Sequence, residues 1–278
     1  FGGKSKKVVG IDVGSSSVKL VELEGSDEKN LVLTKYSIEK LPQELMSTDG
    51  KFPNIESVGE FVRKCWKRSG SNIKSIAIAL PQSSIISKKA LIPALDSEED
   101  LKNQVQSEME KYLPTGLSVN DIALDFFSYG PNAQSPTEND MLIIASKKEQ
   151  IDERLALVQS AGLNPVILES EQSIIQNVLR LVVGEKFNLQ QIMLVDCSAH
   201  TMKIMVFKNG ENVYNKENNI GGMNLTTDLQ LNLGLSSYTD AEKFKIDGDN
   251  TETSLAVTKT FLNNLSSEFL RSFQYFSS

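Results

Sequence analysis

The chain carries the same short arrangement of acid, turn and lysine twice, and this duplication constrains its fold more than any other feature. The first copy runs Val8-Val9-Gly10-Ile11-Asp12-Val13-Gly14-Ser15-Ser16-Ser17-Val18-Lys19-Leu20-Val21-Glu22-Leu23, and the second Ile192-Met193-Leu194-Val195-Asp196-Cys197-Ser198-Ala199-His200-Thr201-Met202-Lys203-Ile204-Met205-Val206-Phe207. Asp12 matches Asp196, and Lys19 matches Lys203. Each copy reads as strand, tight turn, strand. A carboxylate at a strand end can hold a hydrated Mg2+, Gly14 lets the backbone approach phosphate oxygens, and the N–H groups of the turn form an anion-binding concavity. The copies are too widely spaced for a solenoid repeat and suit two duplicated domains that face each other across a nucleotide cleft.

A chain of 278 residues can bury two domain cores. Its 29 basic and 36 acidic residues give a net charge of −7, which argues against a broad nucleic-acid-binding surface. A phosphate pocket needs only local positive charge. Cys65 and Cys197 have no metal-ligand spacing and imply no disulfide framework, which fits a reducing cytoplasm. No run approaches the roughly 18 apolar residues of a membrane span; the greasiest helical stretch, from Ile174 to Val183, is interrupted by Gln176, Asn177 and Arg180. Phe1 stands where an initiator Met is expected, so the sequence reads as processed or trimmed, with an N-terminal anchor left open.

Periodicity orders the rest. Leu31–Ile38 reads as a third strand, Ile55–Trp66 as an amphipathic helix ended at Gly70, and Ser75–Leu80 as a strand closed by Pro81. From Pro81 to Pro165 the pattern changes. A helix led by Ser97-Glu98-Glu99-Asp100, strands at Ile122–Tyr129 and Met141–Ser146 joined by a flexible loop from Gly130 to Asp140, and a helix from about Glu149 to Gly162 describe an inserted α/β unit. Glu171–Val183 is the helix expected to cross between halves. The expected division is therefore 1–80 for the first domain, 81–165 for the insertion, 166–185 for the return and crossing helix, and 186–278 for the second domain.

With these motifs, and above all the opening Lys6-Lys7-Val8-Val9-Gly10-Ile11-Asp12-Val13-Gly14-Ser15, the chain resembles the actin-like ATPase superfamily and, within it, the PilM family of type IV pilus machines. The resemblance implies an α/β fold of two ribonuclease-H-like domains facing across a nucleotide cleft, with an inserted small subdomain. It implies ATP and Mg2+ as cofactors. Asp12 then holds the hydrated metal, Gly14, Ser15 and Ser16 contact phosphates, and Lys19 neutralises them. In the second copy the family usually has glycine where this chain has Ser198. Asp196 there orients metal or water and Thr201 faces phosphate, or the hairpin is kept for packing alone. Gly221 and Gly222 match a paired-glycine turn that brings a helix N-terminus to phosphates, or simply start a helix. Glu242 and Lys245 either bracket ribose and adenine or form a solvated ion pair. Glu171, with Glu169, opens the crossing helix where the superfamily positions the attacking water; an acidic helix start also needs no function to explain it. His200 reads as a hairpin-tip residue and Trp66 as a helix anchor. The family continues into a strand and a Gly-Gly turn that holds adenosine, so these residues read as part of a longer chain.

The resulting expectation is an ATP-binding cytoplasmic adaptor, peripheral at the inner membrane, that holds the cytoplasmic tail of a PilN-like membrane protein and other assembly-platform components. Weak or absent ATPase activity is expected. Two alternatives stand beside it: a filament-forming FtsA-like protein, and a small-molecule kinase with Asp196 as its base.

Overall fold

The computed structural model describes residues 7–47 and 51–277; Phe1 and Lys6 lie outside them. The first copy of the repeat forms β1 (Val9–Val13) and β2 (Ser17–Glu24), paired antiparallel so that Asp12 lies opposite Lys19. Strand β3 (Val32–Lys40) pairs with β2. Helix α1 (Ile55–Ser69) begins where the Asn54 side chain accepts the Ser57 N–H and ends at Gly70, whose φ of 70° is the left-handed conformation glycine adopts readily. Its face of Val58, Val62 and Cys65 is fully buried against Val9, Ile11, Val18 and Leu20 of the sheet. Strand β4 (Ser75–Leu80) then runs parallel to β1.

The inserted unit is a separate antiparallel sheet with order β5-β7-β6, built from β5 (Ile86–Pro93), β6 (Ile122–Pro131) and β7 (Glu138–Lys147). Helix α2 (Glu98–Glu110), capped by the Ser97 hydroxyl, puts Val105 and Met109 on Ile92, Ile122, Met141 and Ile143. The loop expected from Gly130 to Asp140 is shorter than that, because the ladder continues through Gly130–Asp140 to Pro131–Asn139. Asn132 closes the turn: its Oδ1 accepts the Gln134 and Ser135 amides while its Nδ2 donates to Asp140.

Helix α3 (Lys148–Gln159) follows β7 without a break. The sequence reading carried the insertion to Pro165, but α3 belongs to the first domain's core, where Leu157, Val158 and Ala161 join Val58 and Val62. Gly59 makes this possible, since a Cβ there would collide with the Ser160 side chain on the approaching helix. Strand β8 (Asn164–Ser170) then pairs parallel with β4 and completes the sheet order β3-β2-β1-β4-β8. The insertion's own packing therefore ends with β7.

Helix α4 (Glu171–Val183) leaves the end of β8 and lays Ile175, Leu179 and Val183 on Phe187, Met205 and Phe207 of the second half. There the second copy forms β9 (Gln191–Cys197) and β10 (Met202–Lys208), with Asp196 opposite Lys203. Asn209 and Gly210, both at positive φ, turn the chain into β11 (Glu211–Asn218). The order β11-β10-β9 repeats β3-β2-β1. Helices α5 (Gly222–Leu233), α6 (Tyr238–Asp247) and α7 (Glu252–Ser277) follow. Among the described residues no helix is long and apolar enough to cross a membrane.

Candidate functional site: a cleft between two matching turns

The two turns line one cleft of about 1120 Å3, together with the ends of β1, β4 and β9 and the start of α4. They close in the same way: Gly14 N–H donates to Ser17 O at 3.0 Å, and Ser198 N–H to Thr201 O at 2.9 Å. Each is braced from behind through its carbonyls. Ser15 O and Ser16 O accept from Ser47 and Leu41, while Ser198 O and Ala199 O accept from Gly222 and Met223 at the start of α5. Among the described residues nothing accepts the amide hydrogens of Ser15 and Ser16, or those of Ala199 and His200. A turn that fixes its carbonyls and leaves consecutive N–H groups unpaired is an anion cradle. Gln82 Oε1 and His200 Nε2, also in cleft-lining residues, are buried without partners among the described residues. Such residues fit a polyphosphate held with a cation.

The charged side chains divide between the two hairpins. Lys19 Nζ lies 3.1 Å from its cross-strand neighbour Asp12, both half exposed. Lys203 faces Asp196 in the ladder, yet its Nζ turns to Glu171, with contacts of 2.7 and 2.6 Å. This pair is only 14% and 24% exposed. Glu171 also accepts the Gln82 amide, so one carboxylate ties the end of β4, the start of α4 and β10 together. A carboxylate so engaged is a strut between halves. Glu169 ends β8 and folds back on the Ser170 amide, and it does not line the cleft. Asp196 does, and among the described residues it has no ion pair.

Of the residues singled out in the sequence, the structure gathers Asp12, Gly14, Ser15, Ser16, Lys19, Glu171, Asp196 and Thr201 around this cleft. Gly221, Gly222, Glu242 and Lys245 stand behind it instead. A Cβ on Gly221 would lie 2.5 Å from Ala199 O, so only glycine lets α5 press on the second turn. The Gly222 and Met223 amides are taken by that contact and are not free for phosphate. Lys245 Nζ reaches Gly222 O, Thr226 Oγ1 and Glu242, locking α6 to the first turn of α5. Burial pushes the Glu242 carboxyl up, but the hydrogen bonds from Lys245 and Thr226 outweigh it and hold the group below the usual carboxylate range.

Other cleft residues escaped the sequence reading. Asn224 lines the cleft while its Oδ1 accepts the Gly221 amide. Gln82 follows β4, and Arg154 projects from α3. Arg154 left one visible sign: a lone charge in the apolar stripe Ile151, Leu155 and Val158.

Two halves of one strand order, each presenting an acid-bearing turn to a shared cleft, define a protein of the actin-like ATPase fold. The chain belongs to the type IV pilus assembly protein PilM family, whose sequence model matches residues 10–278. Among solved structures it is similar to a PilM-PilN type IV pilus biogenesis complex, with 18% identity and a TM-score of 0.80 over 98% of this chain and 77% of that one. The ethanolamine utilization protein EutJ from Carboxydothermus hydrogenoformans matches with 15% identity and a TM-score of 0.57 over 96% of this chain and 71% of that one. MreB 5 of Spiroplasma citri, solved bound to AMPPNP, matches with 11% identity and a TM-score of 0.51 over 98% and 80%.

Proposed function

We propose that the protein is a nucleotide-binding adaptor of the type IV pilus assembly platform, which binds Mg-ATP in the cleft and the cytoplasmic tail of a PilN-like membrane protein on its inserted subdomain. The observation that carries the nucleotide reading is the pair of matching turns, each with two consecutive unpaired amides, on one cleft. On this reading Asp12 holds the hydrated Mg2+, the Ser15 and Ser16 amides receive phosphate oxygens, and Lys19 neutralises them. Ala199 and His200 offer the matching amides from the other half. Bound Mg-ATP supplies the charge that draws the two turns together.

Hydrolysis is slow or absent on this reading, since Glu171 is paired with Lys203 and, among the described residues, Asp196 is left as the unpaired acid at the second turn. Family membership across residues 10–278 favours the pilus adaptor over an FtsA-like filament or a small-molecule kinase. For the tail, the three-stranded inserted sheet offers β5 and β6 as edges, and Phe127 and Tyr129 on β6 are exposed. An extended peptide can add main-chain hydrogen bonds to such an edge and seat apolar side chains beside it. The protein then sits on the cytoplasmic face of the inner membrane through its partner.

Calorimetry with Mg-ATP, and fluorescence anisotropy with a labelled PilN-like tail peptide, test the two halves of the proposal separately. Binding of both is expected, with tail affinity that changes when Mg-ATP is present. Equal tail affinity with and without nucleotide removes the coupling, and no heat with Mg-ATP removes the cofactor.

A further inference from the structure

We infer that Arg154 reads the terminal phosphate of a bound nucleoside triphosphate and passes that state to the inserted subdomain. The inference rests on the nucleotide reading of the cleft and goes beyond it, because Arg154 belongs to neither hairpin.

Arg154 lines the same cleft as Asp12, Gly14 and Lys19. One guanidinium nitrogen donates to Val13 O at 2.8 Å, in the residue before Gly14. The ring of Phe52 lies 5.6 Å from the guanidinium carbon. Burial lowers the Arg154 pKa, while Asp12, Glu153 and Glu171 act the other way, and an arginine so placed stays cationic. None of these carboxylates reaches ion-pair distance. The two lysines of the hairpins differ in this respect, since Lys19 is matched by Asp12 and Lys203 by Glu171. A guanidinium has five N–H donors, and among the described residues one hydrogen bond, to a carbonyl, is made. A partly desolvated cation with spare donors beside a phosphate turn suits the bidentate oxygens of a terminal phosphate.

The helix that carries Arg154 supplies the route onward. Helix α3 starts at Lys148, directly after β7 ends at Lys147, and β7 is the central strand of the inserted sheet. Arg154 stands fewer than two helical turns from that junction. A shift of its side chain toward phosphate is therefore a shift of a rigid helix joined to the strand that holds the insertion together. Loss of the terminal phosphate releases it.

The test compares ATP and ADP on the full protein and on Arg154→Met, by calorimetry with Mg2+. In the wild type ATP is expected to bind more tightly than ADP; in Arg154→Met, ATP affinity falls at least tenfold while ADP stays within threefold. An equal fall for both nucleotides, or none, overturns the inference. Absence of nucleotide binding to the wild type sinks the underlying cofactor reading instead. Should Arg154→Met not fold, Arg154→Gln, which keeps a donor for Val13 O, is judged by the same ratio. Hydrogen exchange gives a second readout. ATP is expected to protect residues 138–147 more than ADP does in the wild type, and this difference disappears in the variant. Its persistence overturns the coupling.

Discussion

The two hairpins share a register, a turn and a pair of unsatisfied amides, yet they spend their lysines differently. In the first, Lys19 stays on its own sheet beside Asp12. In the second, Lys203 leaves Asp196 and holds Glu171 at the start of the crossing helix. One hairpin keeps its acid and lysine paired at the cleft, and the other commits a charge to joining the halves. The surroundings differ in the same sense. The first hairpin belongs to a five-stranded sheet covered by α1 and α3, with a large buried cluster. The second belongs to three strands buried on both faces, with Phe187, Met205 and Phe207 in a cluster under α4 and Met202, Ile204 and Val206 buried on the opposite face. A repeat thus preserves backbone chemistry while side chains at equivalent positions take on separate tasks.

The largest expected effect lies in that difference of cores. Phe207→Ala should cost about 3–5 kcal/mol and Leu20→Ala about 2–5 kcal/mol. Because Phe207 is one of three fully buried residues in its cluster among the described residues, while the first half's cluster has many more, hydrogen exchange should show the second half opening before the first. Simultaneous opening would mean that the halves unfold as one unit. Next, Asp12→Ala should weaken Mg-ATP binding about 100-fold, or roughly 2.7 kcal/mol, and Asp196→Ala less than tenfold. Equal losses in calorimetry would make the two acids equivalent.

A smaller effect separates the lysines. Lys203→Met leaves the half-buried Glu171 carboxylate without its cation and should cost about 1–3 kcal/mol in denaturant unfolding. Lys19→Met breaks an exposed pair and should cost under about 1 kcal/mol. The smallest change concerns one difference between the turns, Ser198 where the first has Gly14. The Ser198 hydroxyl accepts the Thr201 amide hydrogen at 3.2 Å and donates to Thr201 O. Ser198→Gly frees that amide and should tighten Mg-ATP binding a few-fold. No gain in affinity would show that the serine costs the second cradle nothing.

Much of this arrangement was legible in the chain. The acid-to-lysine spacing gave both hairpins, since cross-strand pairing follows directly from turn length. Strand β4 and helix α4 fall where periodicity placed them. The reading slipped at α3, because an amphipathic stripe shows that a helix has a buried face without showing which core receives it. The steric need at Gly59 is equally silent in sequence. Gly221 was noticed, but its reason lay in the backbone of Ala199 and His200, far away along the chain. Glu171 stood out as an acid at a helix start, and its cation proved to be Lys203, which lies opposite Asp196 in the ladder.

Local order in the amino acids was enough to set the two acid-bearing turns, the strands around them and the family to which they belong. Those features depend on neighbours within a few residues, where spacing is geometry. Folding in three dimensions decided which lysine stays beside its own acid and which becomes a strut, that α3 joins the first core, and that Arg154 reaches the cleft. Long side chains choose among all the oppositely charged groups within reach, and that choice exists only once distant segments have been brought together.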